Sequence, residues 1–526
     1  MGPAAARVLG EQVSASTTIL PFVAASNAAA RQLNANKTIE GYYTNEAGRV
    51  VFRAVVRDLA TNRNAQWLEF SGKGDSLLAA AASFAQQIDK RNRAFGTRNP
   101  AALQAWGQSL VEADPQHRAE LLEKAIAADA SFGAAYLDLA QLHASTGQGP
   151  RALEVAKRAR ERISSFTDFD RARMDLFDAN LTNNADQRRT ALVALSRLVS
   201  TDADTIRTLA ESEMAARRFS AAADLYRNAV ALEPENPGLL NALGYAEAYG
   251  GRLDAAREDL ERYRALDPKA LNPVDSLGEV CFIAGDFGEA ARYFLEAEKL
   301  QPGPASTLQV LKAAQARFLG NDVRGADELR DRAFKAMGPA GAALAGLQRA
   351  QWFWITGRKQ EATTAAERIV AAPQPDAAAY AGLQLALWKL DGGDREGARS
   401  LATAAVARAS NPRIKRLAAI VVSITGGAVP DLDPVAATIA RAYTAFFARD
   451  FAKAAELFNG LYLRSEPSND GAFRTMLAYA LNQTGKKDQL RELTSRYFIP
   501  IGSTEEAPLA VHALPYFVEL RRSLGR

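Results

Sequence analysis

Two hydrophobic periods divide the chain. From Val50 to Leu59, the residues Val50, Phe52, Ala54 and Val56 alternate with Val51, Arg53, Val55 and Arg57. A period of two marks a strand with one buried face, because successive side chains point to opposite sides of a pleated backbone. Thr38 to Tyr43 is a second strand, joined to the first through Asn45-Glu46-Ala47-Gly48, whose residue types favour a turn. Trp67 to Phe70 reads as a third strand and Thr18 to Phe22 as a short one. Helical spacing surrounds them. Ala6, Val8, Leu9 and Val13 share a face within Ala4 to Ala15, and Asn27 to Leu33 is Ala-rich. Asp75 is placed to cap a helix from Ser76, with Leu77, Leu78, Ala81, Phe84, Ala85 and Ile88 on its apolar face. Residues 1–95 therefore predict a small α/β domain.

From Asn99 onward the strand period disappears and an internal repeat replaces it. Between Pro237 and Ala270, Leu243-Gly244 supplies a leucine–small pair, Gly251 a turn, Leu253 a seal, Ala256 a second small residue and Pro268 a stop. A step of 34 forward meets Leu277-Gly278, Gly285, Phe287, Ala290 and Pro302, and a step of 34 back meets Leu209-Ala210, Phe219, Ala222 and Pro234. Small residues at fixed spacing let two antiparallel helices cross closely, and Pro suits a helix start because its φ is preset and its missing N–H is not needed there. Weaker copies follow Tyr136, Leu139, Ala140, Gly147, Ala152 and Ala159, then Gly320 with Ala326, Gly357 with Ala362, Gly393 with Ala398, Phe451 with Ala454 and Gly485 with Leu490. About nine or ten helix pairs result, with residues 160–200 helical but without phase.

This pattern resembles the tetratricopeptide repeat over residues 99–495. The resemblance implies a mainly α fold: a right-handed α-solenoid behind the small N-terminal α/β domain, with residues 496–526 as a capping segment over the last apolar face. The N-terminal stretch resembles the TolB-like domain of bacterial envelope proteins, through Glu40-Gly41-Tyr42-Tyr43 and the run Arg49 to Thr61 followed by a Trp-bearing strand and a helix. That family opens with an apolar strand ahead of its first helix, which this sequence does not show. No long Gly/Ser linker separates the two parts, so the N-terminal domain is expected to pack on the first helix pair.

With 526 residues the chain exceeds the size at which single cores stop growing, about 250–300 residues. Its 48% hydrophobic and 24% charged residues suit a folded protein. The net charge of +4 is uneven: residues 1–97 hold 11 Lys/Arg against 7 Asp/Glu, leaving 53 of each sign, from totals of 64 and 60, for the remainder. The repeat region thus lacks the basic stripe that tracks phosphates, and no nucleic acid is expected. No run of about 18 apolar residues exists to span a membrane. The lone Cys281 permits no intramolecular disulfide and reads as a small buried residue. The opening residues carry one Arg and then Glu11 before an apolar stretch broken by Pro21, which is not a signal-peptide pattern.

Chemistry is sparse. His117, His143 and His512 lie far apart, and no HExxH, GxSxG or Walker-type loop occurs. Gly72-Lys73-Gly74-Asp75 shares only composition with a phosphate loop and reads as a turn. Asp202 with Asp204, and Asp431 with Asp433, sit near helix starts, where carboxylates cap and favour the dipole. No catalytic set, cofactor or metal is expected. The expected function is a non-catalytic scaffold for proteins or peptides, which the TolB-like resemblance places in an envelope-associated bacterial assembly; the alternative is a ligand- or peptide-sensing module. The expected location is periplasmic or otherwise extracytoplasmic, with the cytoplasm as the alternative. Because the first helix of each stacked pair lines a concave face, the outward positions there are the candidate contacts: Arg207 and Glu211, then Asn241, Tyr245 and Tyr249, then Asp275, Glu279 and Phe282, then Gln309 and Arg317. Tyr245 and Phe282 are expected to be exposed aromatic anchors.

Overall fold

The computed structural model describes residues 3–14, 35–47, 49–59, 61, 63–72, 77–303, 306–338, 342–428, 432–465, 471–494 and 507–524. The expected strand Thr18 to Phe22, helix Asn27 to Leu33, Asp75 cap, Lys73-Gly74 turn and Asp431 lie outside them. The alternating stretch forms β2 (Arg49–Asp58), between β1 (Lys37–Glu46) and β3 (Arg63–Gly72). Both pairings are antiparallel, in the order β1-β2-β3. Ala54, Val56 and Leu68 form one buried face, covered by Ala81, Phe84 and Ala85 of the helix Leu77–Ile88. The opposite face carries Arg53 and Val55 with their cross-strand partners Tyr42 and Trp67, which are 57% and 66% exposed.

Beyond residue 99 the described residues are helical and form mostly hairpins. Asn99 caps the helix Pro100–Ser109 by accepting from the N–H groups of Ala101 and Ala102 at 2.9 and 3.2 Å. The stretch that the repeat left unphased holds one more pair, Asp168–Leu181 with Ala185–Leu198, capped by Thr167 and Asn184. The fold is therefore mainly α, a solenoid of helix pairs following a small three-stranded sheet.

Contacts divide the chain into two units: Met1–Ser212 with Arg227–Glu233, and Glu213–Tyr226 with Pro234–Arg526. In the first, the N-terminal helix Pro3–Val13 shares a core with the first helix pairs. Val8 and Leu9 lie in one cluster with Phe95, Trp106 and Phe132, whose ring centroids are 5.4 to 5.7 Å apart. Trp106 Nε1 donates to Asp138 Oδ2 at 2.9 Å, and Arg7 pairs with Asp138 Oδ1 at 2.8 Å. The N-terminal elements thus pack on the repeats, as their short junction implies. In the second unit, helix pairs run from Pro237–Tyr249 with Leu253–Leu266 to Gly471–Gln483 with Lys487–Thr494, and Pro412–Ile424 stands between pairs. The last described helix, Ala507–Ser523, packs beside Gly471–Gln483, where a cap belongs, and also reaches Leu319 and Asp391.

Candidate functional site

The site is built on the first helices of successive pairs, and close crossings set their spacing. A β-carbon on Gly278 would stand 2.6 Å from Cε1 of Phe294, and one on Gly244 would stand 2.8 Å from Cγ of Leu260. Side chains there would push the two helices of a pair apart, which is why the repeat demands a small residue. Each hairpin then turns through a left-handed residue: Gly251 at φ 82°, Gly285 at φ 81° and, without glycine, Arg217 at φ 58°.

The following turn breaks the step. Its left-handed residue is Asn321 at φ 68°, 36 positions after Gly285 rather than 34. The two extra residues move the phase of the helix Thr307–Leu319. A 34-residue step selects Gln309, which is 6% exposed and faces inward, so its expected outward position is corrected. The 36-residue step from Asp275 and Glu279 selects Leu311 and Gln315, which are partly exposed. Arg317 is also partly exposed and pairs with Asp322 Oδ2 at 3.3 Å.

Two aromatic expectations also need correction. Phe282 is 4% exposed and meets Phe287 edge-on at 5.2 Å, while Tyr249 is 6% exposed and stacks on Phe219 at 5.4 Å. Each ring covers the start of a second helix, because a large residue one turn before the hairpin fills the wedge between helices. Tyr245 is not the exposed anchor expected either: it is half-buried, and its hydroxyl donates to Glu279 and lies 3.4 Å from Ser276 Oγ. Burial, followed by the neighbouring Glu279 carboxylate, holds this phenol protonated well above its ordinary range.

Asp275 and Glu279 meet a residue that the sequence pattern did not single out. Lys312, 6% exposed, places Nζ 2.7 Å from Asp275 Oδ2 and 2.7 Å from Glu279 Oε1. Burial pulls the Lys312 ammonium down, but the two carboxylates outweigh it and its net shift is upward. Burial raises Asp275 against the opposing pull of Lys312. The chain Tyr245–Glu279–Lys312–Asp275 therefore ties three consecutive pairs together. Asn241 is half-buried, and its Oδ1 is buried without a hydrogen-bond partner among the described residues. In the first unit, Arg207 donates to Glu211 and, at 3.2 Å, to Asp204, with the Arg207 and Glu211 side chains 41% and 45% exposed.

Residues 207–270 match the tetratricopeptide-repeat family. The matched segment contains the hairpin of Leu243-Gly244, Gly251 and Ala256, so the tetratricopeptide pattern coincides with the close crossing described above. A search of curated proteins gives no match. Among solved structures, a tetratricopeptide repeat protein from Parabacteroides merdae is similar at 13% identity and TM-score 0.33, over 48% of this chain and 98% of that one. YrrB, described as a TPR protein with an unusual peptide-binding site, is similar at 18% identity and TM-score 0.25, over 42% of this chain and 94% of its own. MamA from Desulfovibrio magneticus RS-1 is similar at 20% identity and TM-score 0.28, over 32% of this chain and 94% of its own. Among the described residues no group of three or more His, Cys, Asp or Glu is placed to hold a metal ion, and no helix is long and apolar enough to cross a membrane.

Proposed function

We propose that the chain is a non-catalytic scaffold that binds proteins or peptides on the first-helix faces of its pairs, within each unit by itself. Arg207 and Glu211 are the proposed contacts of the first unit, and Asn241, Tyr245, Asp275, Glu279 and Arg317 those of the second. The tandem helix pairs with a matched tetratricopeptide segment carry this reading. Such stacks expose a long row of first-helix side chains, and an extended row of charged and polar groups suits a polypeptide better than a compact metabolite. The resemblance of residues 40–61 to the TolB-like domain supports an extracytoplasmic setting in an envelope-associated assembly, which cell fractionation tests directly.

The double variant Arg207→Ala with Glu211→Ala tests the binding role. These two form an exposed i,i+4 pair contributing about 0.3–0.5 kcal/mol, so the variant keeps its fold. Affinity capture from native lysate should return a stoichiometric polypeptide with the parent chain and lose it with the variant. Recovery of a metabolite in place of a polypeptide, or capture unchanged by the substitutions, would overturn the reading.

A further inference from the structure

The helix Ala507–Ser523 is walled in on nearly every side: from Leu509 to Leu520 only Glu519 is exposed. Its walls are first helices of the second unit. Phe517, 2% exposed, inserts among Phe282, Ala313 and Leu319. The ring of His512 places Nε2 2.9 Å from Asp391 Oδ1, and the Tyr516 hydroxyl donates to the same oxygen at 2.5 Å. The rings of Phe446 and Tyr479 lie 5.1 and 4.8 Å from that of Tyr516. Arg521 Nη1 donates to the Leu319 carbonyl at 2.8 Å. A single five-turn segment thus touches Thr307–Leu319, Pro375–Asp391, Pro434–Phe447 and Gly471–Gln483 together.

By itself this segment is a poor helix. Pro515 lies in its interior, where it has no N–H for the Val511 carbonyl and crowds it as well. The surrounding walls supply the helicity, as they do for a segment that folds on binding.

We propose that the first-helix surface from Thr307–Leu319 to Gly471–Gln483 is a helix-binding groove, and that the chain's own C-terminal helix occupies it as a displaceable internal ligand. This deepens the scaffold reading above and rests on it. The external partner that fits is a helix of the same pattern. It is apolar where Leu509, Ala513, Phe517 and Leu520 stand, bears two hydrogen-bond donors four residues apart for Asp391, and ends in an arginine. Such a partner competes with an occupant already tethered to its site, which lowers its apparent affinity by the fraction of molecules that are open.

A labelled synthetic peptide of residues 505–526 and the full-length chain carrying Phe517→Asp provide the test. The substitution places a carboxylate in the apolar slot and expels the resident helix. The peptide should then bind the variant at least about tenfold tighter than the parent chain, in proportion to the opened fraction. In the parent chain, amides of 509–523 should exchange hydrogen well ahead of those in Pro375–Asp391 and Pro434–Phe447. Equal peptide affinity for the two chains would overturn the proposal. Should the variant fail to fold, hydrogen exchange in the parent decides: protection of 509–523 equal to that of its walls makes the helix a permanent part of the core. Capture unchanged in the Arg207/Glu211 test, with trans peptide binding intact, would remove the scaffold reading and leave the groove standing.

Discussion

Gly278 and Gly288 stand ten residues apart and answer opposite questions. Alanine in a helix interior is favoured over glycine by about 1 kcal/mol. At Gly278 the added carbon meets Phe294 at 2.6 Å, and overpacking of about 1–3 kcal/mol outweighs that gain. At Gly288 the added carbon has nothing within 4 Å. Gly278→Ala should therefore lower the urea midpoint and Gly288→Ala should raise it slightly. Lys312 offers a charge test. Lys312→Met leaves the half-buried carboxylates of Asp275 and Glu279 facing each other without their cation, a loss expected to stay below the roughly 3–5 kcal/mol of a fully buried pair. Burial already raises the Asp275 carboxyl, and its protonation relieves the stranded pair, so the loss measured at pH 5 should be smaller than at pH 8. Glu11 gives a pH dependence of its own. Burial, partly opposed by Arg173, raises its carboxyl from 4.5 to about 7. A carboxyl with a raised folded-state pKa holds its proton longer in the folded state, so stability falls as pH rises between 4.5 and 7 and stays lowered above. At 1.36 kcal/mol per pKa unit the upper bound is about 3 kcal/mol. Glu11→Gln should flatten that slope in thermal melts taken from pH 4 to 8.

At the scale of elements, a helix or strand is legible where neighbours within a few positions decide it. The alternation in β2, the apolar face of Leu77–Ile88 and the Leu-Gly pairs at 243 and 277 all follow from local spacing. Register between repeats is less forgiving. Two extra residues before Thr307 moved the helix face, and the signal for it was the Asn321-Asp322 turn, where Asn tolerates a left-handed φ. The C-terminal helix shows the other limit. Its apolar run was legible as a covering segment, but its walls lie 125 residues away at Asp391 and 202 away at Leu319. Pro515→Ala removes a helix penalty of about 3 kcal/mol. It should raise the helicity of the isolated 505–526 peptide in circular dichroism, and slow hydrogen exchange at 509–523 in the full chain.

For the molecule as a whole, the first unit binds the N-terminal elements to the repeats through one core. Trp106 is fully buried between Phe95 and Phe132 and holds Asp138, which also receives Arg7. Limited proteolysis should therefore release no intact fragment of residues 1–95. Trp106→Ala, expected to lose about 3–5 kcal/mol, should make that junction cleavable. The repeat, its small crossing residues, its turns and the balanced charge of residues 98–526 follow from the sequence alone, because each depends on neighbours at most one hairpin away. Only the tertiary structure decided that Phe282 and Tyr249 turn inward, that Lys312 closes on two carboxylates of the preceding pair, and that the last helix lies among first helices far back along the chain. Hydrophobic burial has no direction along the sequence: a ring or an apolar helix is bound to be covered, and chain geometry alone selects what covers it.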